Sequence, residues 1–297
     1  MTPSPNTDAY QDPSGSASTP SVAAATDSPV GPTAGPTTGP TAVPMVRFQI
    51  VSLFPEFFAP WQSLGVCGRA VSQSRVAVSH WNPRQFTHDT HQTVDDRPYG
   101  GGPGMVMMAE PLAGCIEAIR KASAPHAPGP VILFSPAGTP LSQSWIEAQR
   151  AWILQQSGKA RTSPQGATPD SAAIAQFTLV CGRYEGVDQR FIDEYVDQEI
   201  SLGDFVLSGG EIAALALMDA LVRRLPGVLN DEMSSVAESF ISPLLDHPHF
   251  TRPEVFAGRA VPSVLLSGHH GKIADWRKAQ ALELTLSRRP DLLKGSD

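Results

Sequence analysis

The chain has 297 residues, 41% of them hydrophobic and 17% charged, with three cysteines and a formal net charge of −7, enough for one large or two modest cores. No apolar run approaches the roughly 18 residues a membrane span needs, and Cys67, Cys115 and Cys181, odd in number and far apart, argue against a disulfide framework and against a tetrahedral zinc site. The acidic average argues against a nucleic-acid partner, yet from Arg252 to the end eight Lys/Arg stand against five Asp/Glu beside His269 and His270, so the C-terminal part is basic.

Residues 1–44 are Pro, Thr, Ser, Ala and Gly with no basic residue, the composition of a disordered tail. Neither an Arg-rich transit pattern nor a charged start followed by an apolar stretch is readable in it. The expected location is the cytoplasm. From Val46, V-R-F-Q-I-V-S-L predicts a strand and F-P-E-F-F-A-P-W a helix start, with Pro55 and Glu56 in its first turn. R-V-A-V-S-H-W (75–81) reads as a second strand. Residues 82–105 follow without periodicity, a long polar loop rich in glycine.

Glu110 to Lys121 predicts a helix, V-I-L-F-S (131–135) a buried strand and Ser142 to Leu154 a further helix. Residues 155–176 read as a surface insertion, and F-T-L-V-C-G (177–182) as another buried strand. The stretch E-I-S-L-G-D-F-V-L-S-G-G-E (199–211) has the turns and glycines of a binding loop. The helix after it carries Ile212, Leu215, Met218, Val222 and Leu225 on one side and Ala214, Leu217 and Leu221 on another, so it should be buried, ending at Pro226-Gly227. Alternating strand and helix predicts an α/β fold with a parallel sheet. The expected organisation is a tail (1–44), an α/β domain (45–226), a linker (227–251) and a small helical domain (252–297), whose main helix runs from about Lys272 to Arg289.

No G-x-G-x-x-G follows a strand, and S-G-K-A at 157–160 lacks the spacing of a phosphate-binding loop. H-D-T-H at 88–91 with Asp95 and Asp96 lacks a third strong ligand at helical spacing, so no metal site is predicted. Three glycine-bearing turns, S-P-A-G (135–138), C-G-R-Y-E-G (181–186) and L-G-D-F-V-L-S-G-G (202–210), sit at the ends of predicted strands. The carboxyl ends of parallel strands are where ligands bind, so the three turns predict one pocket.

Beyond these features, L-F-P-E (53–56), T-H-D-T-H-Q-T-V-D-D-R-P-Y-G-G-G-P-G-M (87–105), C-G-R-Y-E-G-V-D (181–188), S-L-G-D-F-V-L-S-G-G-E (201–211), H-P-H-F-T-R-P-E-V (247–255) and V-P-S-V-L-L-S-G-H-H (261–270) resemble the bacterial tRNA (guanine-37-N1)-methyltransferase family, TrmD. The likeness spans about residues 46–293. It implies a SPOUT-class sheet with a C-terminal trefoil knot, a small helical domain, a homodimer, S-adenosylmethionine as methyl donor, a magnesium requirement, and the tRNA anticodon stem-loop as partner. By motif, the donor would be held by Leu133, Phe134, Gly182, Tyr184, Glu185, Leu202, Gly203, Asp204, Phe205, Val206, Leu207, Gly209 and Gly210.

Methyl transfer to a guanine nitrogen needs in-line positioning and removal of the ring proton. By the resemblance, Glu238 stands where the family has an Asp as base, and Arg223 where it has an Arg that stabilises charge on the guanine oxygen. Ala137 stands where the family has Gln. Asp231 and Asp246 are the alternative bases. The Glu at 238 leaves open a slow or silent tRNA-binding paralogue, and the fold leaves open a SPOUT enzyme with another RNA target. His91, Asp95 and Arg97 on the long loop either approach the target base or shape the loop internally. Arg252, with His247 and His249, falls where phosphate or the opposite subunit's pocket would lie.

Overall fold

The computed structural model describes residues 43–123, 129–161, 174–229 and 239–294. In chain order these form β1 (Val46–Val51), α1 (Ala59–Ser63), α2 (Gly65–Ser72), β2 (Val76–Trp81), β3 (Asp95–Asp96), β4 (Val106–Met107), α3 (Ala109–Ser123), β5 (Val131–Pro140), α4 (Gln143–Arg161), β6 (Ala175–Val180), α5 (Gln189–Tyr195), β7 (Gln198–Ser201), α6 (Glu211–Val222), β8 (Val255–Phe256), β9 (Arg259–Ala260), α7 (Ser263–Leu266) and α8 (His270–Arg288).

Five strands make one sheet in the order β2-β1-β6-β5-β7, and every pairing in it is parallel. Parallel strands covered on both faces should be apolar along their whole length rather than alternating, and all six residues of β6 are buried. One face packs Phe48, Ile50, Phe177 and Leu179 against Ile146 and Ile153 of α4 and Leu217 and Leu221 of α6. The other packs Val51, Leu133 and Val180 against Leu112, Ile116 and Ile119 of α3 and Phe191 of α5. The central strands also bury a small polar chain: Trp81 Nε1 donates to Gln49 Oε1 at 2.8 Å, and Gln49 Nε2 donates to Gln176 Oε1 at 3.2 Å.

The predicted strands and helices all form, with four differences. The sheet has a strand, β7, where the sequence pattern suggests only the lead-in to a loop, because three of its four residues are polar. β5 runs on to Pro140: it pairs with β7 through Phe134↔Ile200, breaks register, and resumes at Thr139↔Ile200. α4 continues to Arg161, so the expected insertion at 155–176 starts as helix and ends inside β6, while 162–173 lie outside the described residues. Of the apolar positions expected to bury this helix, Ala214, Leu217, Met218, Leu221, Val222 and Leu225 are buried, Leu215 is half-buried and Ile212 is 45% exposed, while α6 itself ends at Val222, before Pro226. The expected tail lies almost wholly outside the described residues, as do 230–238 of the linker. No helix among the described residues is long and apolar enough to cross a membrane.

Candidate functional site

The strands β6, β5 and β7 are neighbours, and their carboxyl ends open on one cavity of about 380 Å³. Its lining comes from Leu133–Ala137, Gly182–Val187 and Glu199–Gly210 without Asp204, closed by Gln189, Ile192 and Ala213. The three predicted turns therefore meet, although the first is an excursion inside β5 rather than a turn beyond its end. Of the thirteen residues expected to hold the donor, all but the exposed Asp204 line this cavity.

Close backbone packing makes the convergence possible. A Cβ at Gly138 would stand 2.5 Å from the Glu199 carbonyl carbon, and one at Gly210 would stand 2.8 Å from Cys181 Cα. Both distances are shorter than real carbon contacts, so only glycine lets the excursion lie on β7 and the start of α6 lie on β6. The Gly210 amide then donates to the Gly182 carbonyl at 3.0 Å. Tyr184 carries a φ of 59°, a left-handed conformation costly for a side-chain-bearing residue and typical of ligand-binding turns.

Beneath the glycines lies a charged joint. Glu211, 1% exposed in the first turn of α6, accepts from Ser52 Oγ at 2.7 Å and from Arg183 Nε at 3.2 Å. Its other oxygen faces Arg183 Nη2 at 3.0 Å, an ion pair whose angle falls short of a hydrogen bond. Arg183 also donates to the Ser208 carbonyl at 3.2 Å and lies over the Phe54 ring at 4.5 Å. One guanidinium thus links the 181–186 loop, the 202–210 loop and the end of β1. Beside it, burial foremost and then the Glu211 charge push the Cys181 thiol well above its ordinary value. Sequence reasoning gave neither Arg183 nor Glu211 a role. The available signal was a carboxylate opening a mostly apolar helix, which is not buried without a cation.

The long loop is attached to the same cavity. The Met107 amide donates to the Gly186 carbonyl, the Glu185 amide to the Met105 carbonyl, both at 2.9 Å, and a Cβ on Gly104 would overlap the Glu185 side chain. Asp95 pairs with Met107 in β3–β4 and reaches the Tyr184 hydroxyl, which is raised above its usual range by burial and then by the Asp95 hydrogen bond and charge. His91 and Arg97 are exposed on the loop. Asp89 shapes it by accepting from the His91 and Thr93 amides at 3.1 and 3.0 Å. Asp89 thus holds the loop from within, while Asp95 stands beside Tyr184 of the cavity lining.

The two expected catalytic residues are elsewhere. Glu238 lies outside the described residues, as does the alternative base Asp231. Arg223 is the C-cap of α6, whose first residue, Glu211, is at the cavity. At 1.5 Å per residue the twelve-residue helix separates the two ends by about 18 Å, and Arg223 does not line the cavity. Near it the Cys67 thiol donates to Asp219 Oδ1 at 3.1 Å; burial raises that thiol most, Asp219 raises it further, and the Arg223 charge opposes them. The C-terminal end of α6 is anchored next to it by Arg224, whose Nε reaches Glu147 Oε1 of α4 at 2.7 Å. Burial would raise the Glu147 carboxyl, but the Arg224 hydrogen bond and charge outweigh it and hold the group below its usual range. Arg252 lines a second cavity of about 450 Å³, with His247, His249, Trp276 and Arg277.

A model of the family described as tRNA (Guanine-1)-methyltransferase TrmD matches residues 46–159 and 146–295. The chain is 50% identical over 251 residues to the tRNA (guanine-N(1)-)-methyltransferase of Ralstonia nicotianae, covering 84% of this chain and 87% of that protein. It is 53% identical over 254 residues to the protein of the same name from Bordetella pertussis, covering 84% of this chain and 90% of the relative. It is 51% identical over 253 residues to the one from Methylibium petroleiphilum, with the same coverage of both chains.

Proposed function

The chain belongs to the tRNA (Guanine-1)-methyltransferase TrmD family, and from that premise we propose that it methylates the ring N1 of the guanosine at position 37 of tRNA, with S-adenosylmethionine as donor. The observation that carries this reading is the cavity at the ends of β6, β5 and β7, lined by twelve of the thirteen residues that the family motifs assign to the donor. Its chemistry fits the group. Leu133, Phe134, Ile200 and Ala213 offer an apolar bed for a flat base, while loops rich in glycine expose backbone amides and carbonyls at its edge. Bound there, the donor supplies an electrophilic methyl group on a sulfonium.

This chain's own residues would do the rest. Glu238 takes the proton from the guanine ring, its carboxylate one methylene further from the backbone than the family's Asp. Arg223 stabilises the charge that develops on the guanine oxygen, as preorganised cations do. In this reading Arg223, at the far end of α6 from its own cavity, serves the cavity of a second copy in a homodimer. The exposed Ile212 on the same helix is consistent with such a face. In this reading the 202–210 loop, tied back to Gly182, belongs to the SPOUT knot. Asp95, His91 and Arg97 approach the target base; Arg252 and the basic segment from 252 onward hold the anticodon stem-loop. Magnesium supports turnover, and the protein works in the cytoplasm.

The test is single-turnover methyl transfer from labelled S-adenosylmethionine to a tRNA transcript carrying guanosines at positions 36 and 37, beside one with the second replaced. Label in the first transcript alone is the expected result. No label in either, with donor binding intact, would support a silent tRNA-binding paralogue, the reading that the Glu at 238 leaves open.

A further inference from the structure

We propose that Asp246, His247 and His249 form a binding site for a divalent transition-metal ion of the zinc, cobalt or nickel class, independent of the methyl-transfer cavity. One ligand atom from each of the three residues lies within 4.8 Å of the others. His249 Nε2 is 3.0 Å from Asp246 Oδ2, and His247 Nε2 is 3.8 Å from Asp246 Oδ1. In a tetrahedral zinc site with bonds near 2.0–2.1 Å, ligand atoms stand about 3.3–3.5 Å apart, so small side-chain rotations complete the geometry.

The surroundings orient these ligands. His247 Nδ1 is 3.1 Å from the Pro248 carbonyl, which can only accept; the proton therefore belongs on Nδ1, and Nε2 presents its lone pair toward Asp246. A histidine ligand with its second nitrogen donating to a carbonyl is the usual arrangement around metals. Asp246 is fixed through its own amide, which donates to Ser239 Oγ at 2.8 Å, and its neighbour Leu245 donates to the fully buried Thr285 Oγ1 of α8 at 2.9 Å. His249 is 71% exposed and borders the second cavity with His247, which leaves room for water to complete the coordination. Arg252 and Arg277 line the same cavity and oppose a cation, so the ion exchanges readily. Two imidazoles and one carboxylate select zinc-class ions rather than magnesium, which wants oxygen ligands; this site is therefore not the source of the magnesium requirement proposed above. A bound ion tightens residues 239–249, the segment directly after Glu238.

The experiment titrates the full-length, untagged, chelator-treated chain with Co²⁺ and follows its visible absorption, then displaces Co²⁺ with Zn²⁺. One equivalent of Co²⁺ with a low-symmetry spectrum, lost on zinc addition, is expected. His247→Ala and His249→Ala should each weaken binding by about tenfold or more, while the His269→Ala/His270→Ala double variant keeps it. The exposure of His249 makes its variant a test that does not depend on the core. Absence of a cobalt spectrum, equal binding in His249→Ala, or loss of binding in His88→Ala/His91→Ala instead would each overturn the assignment.

Discussion

Arg183 and Glu211 meet at 3.0 Å beneath the cavity, the carboxylate almost sealed from water and the guanidinium spanning both glycine loops. The pair holds the cavity's shape from below. Glu211→Gln keeps an acceptor for Ser52 but leaves a largely buried cation without its counter-charge. Removing one partner of such a pair costs about 3 kcal/mol, or roughly 6–12 °C in melting temperature for a domain of this size. Calorimetry checks the stability and isothermal titration the donor affinity, which should fall alongside it. A variant that melts and binds donor like the parent would show that the loops are held by their backbone alone.

For the proposed base, Glu238→Gln removes the proton acceptor at constant size. Single-turnover rates should fall about 100-fold or more, with donor affinity unchanged. Full activity in this variant would take Glu238 out of the mechanism and turn attention to Asp231 before Asp246. Asp246 already accepts from the His247 amide at 2.7 Å and pairs with His249 at 3.0 Å, which makes it a poor substitute.

Arg223 caps the C-terminus of α6, where a cation favours the helix dipole by about 0.3–1 kcal/mol. That role alone predicts a small loss of stability and no loss of rate in Arg223→Ala. The catalytic role predicts a rate reduced roughly 100-fold with donor binding little changed. Measuring both on one preparation separates them, and an unchanged rate would return Arg223 to capping.

Stability should also depend on pH through His80. Burial lowers its imidazole below the 6.5 of an exposed histidine, and its Nε2 sits 2.8 Å from Gln62 Nε2, which must turn before the ring can accept a proton there. Because the folded value is the depressed one, the unfolded chain binds more protons in the window between the two. The contribution is then complete above about pH 6.5 and is lost as pH falls through the folded value. The melting temperature should drop between about pH 7.5 and pH 5.5, and drop less in His80→Gln. Parallel slopes in the two proteins would remove His80 as a source.

The sequence was most legible where chemistry demands a residue type regardless of context. Buried parallel strands need unbroken apolar runs, so β1, β5 and β6 stand out, and glycine at 138 and 210 marks loops pressed against other backbone. β7 was hidden because a four-residue edge strand with three polar residues carries too little periodicity. The Arg183–Glu211 joint was hidden because the partners lie 28 positions apart and no local pattern says which cation answers which carboxylate. The cluster at 246–249 reads in the sequence as a polar linker end. Only the turn around Pro248 brings its two imidazoles to one carboxylate.

The sheet order has a consequence for how the chain comes to be folded. β1 lies between β2 and β6, and Val46 pairs with Ala175 on the side away from β2. Until the polypeptide has been made through β6, the first strand offers one long edge and its Phe48 and Ile50 to whatever is nearby, since contacts so distant in sequence form late. During synthesis, then, the N-terminal third is a sticky half-sheet awaiting its centre. A ribosome stalled shortly before residue 175 should display a segment that chaperones retain, and one stalled well past α6 should not.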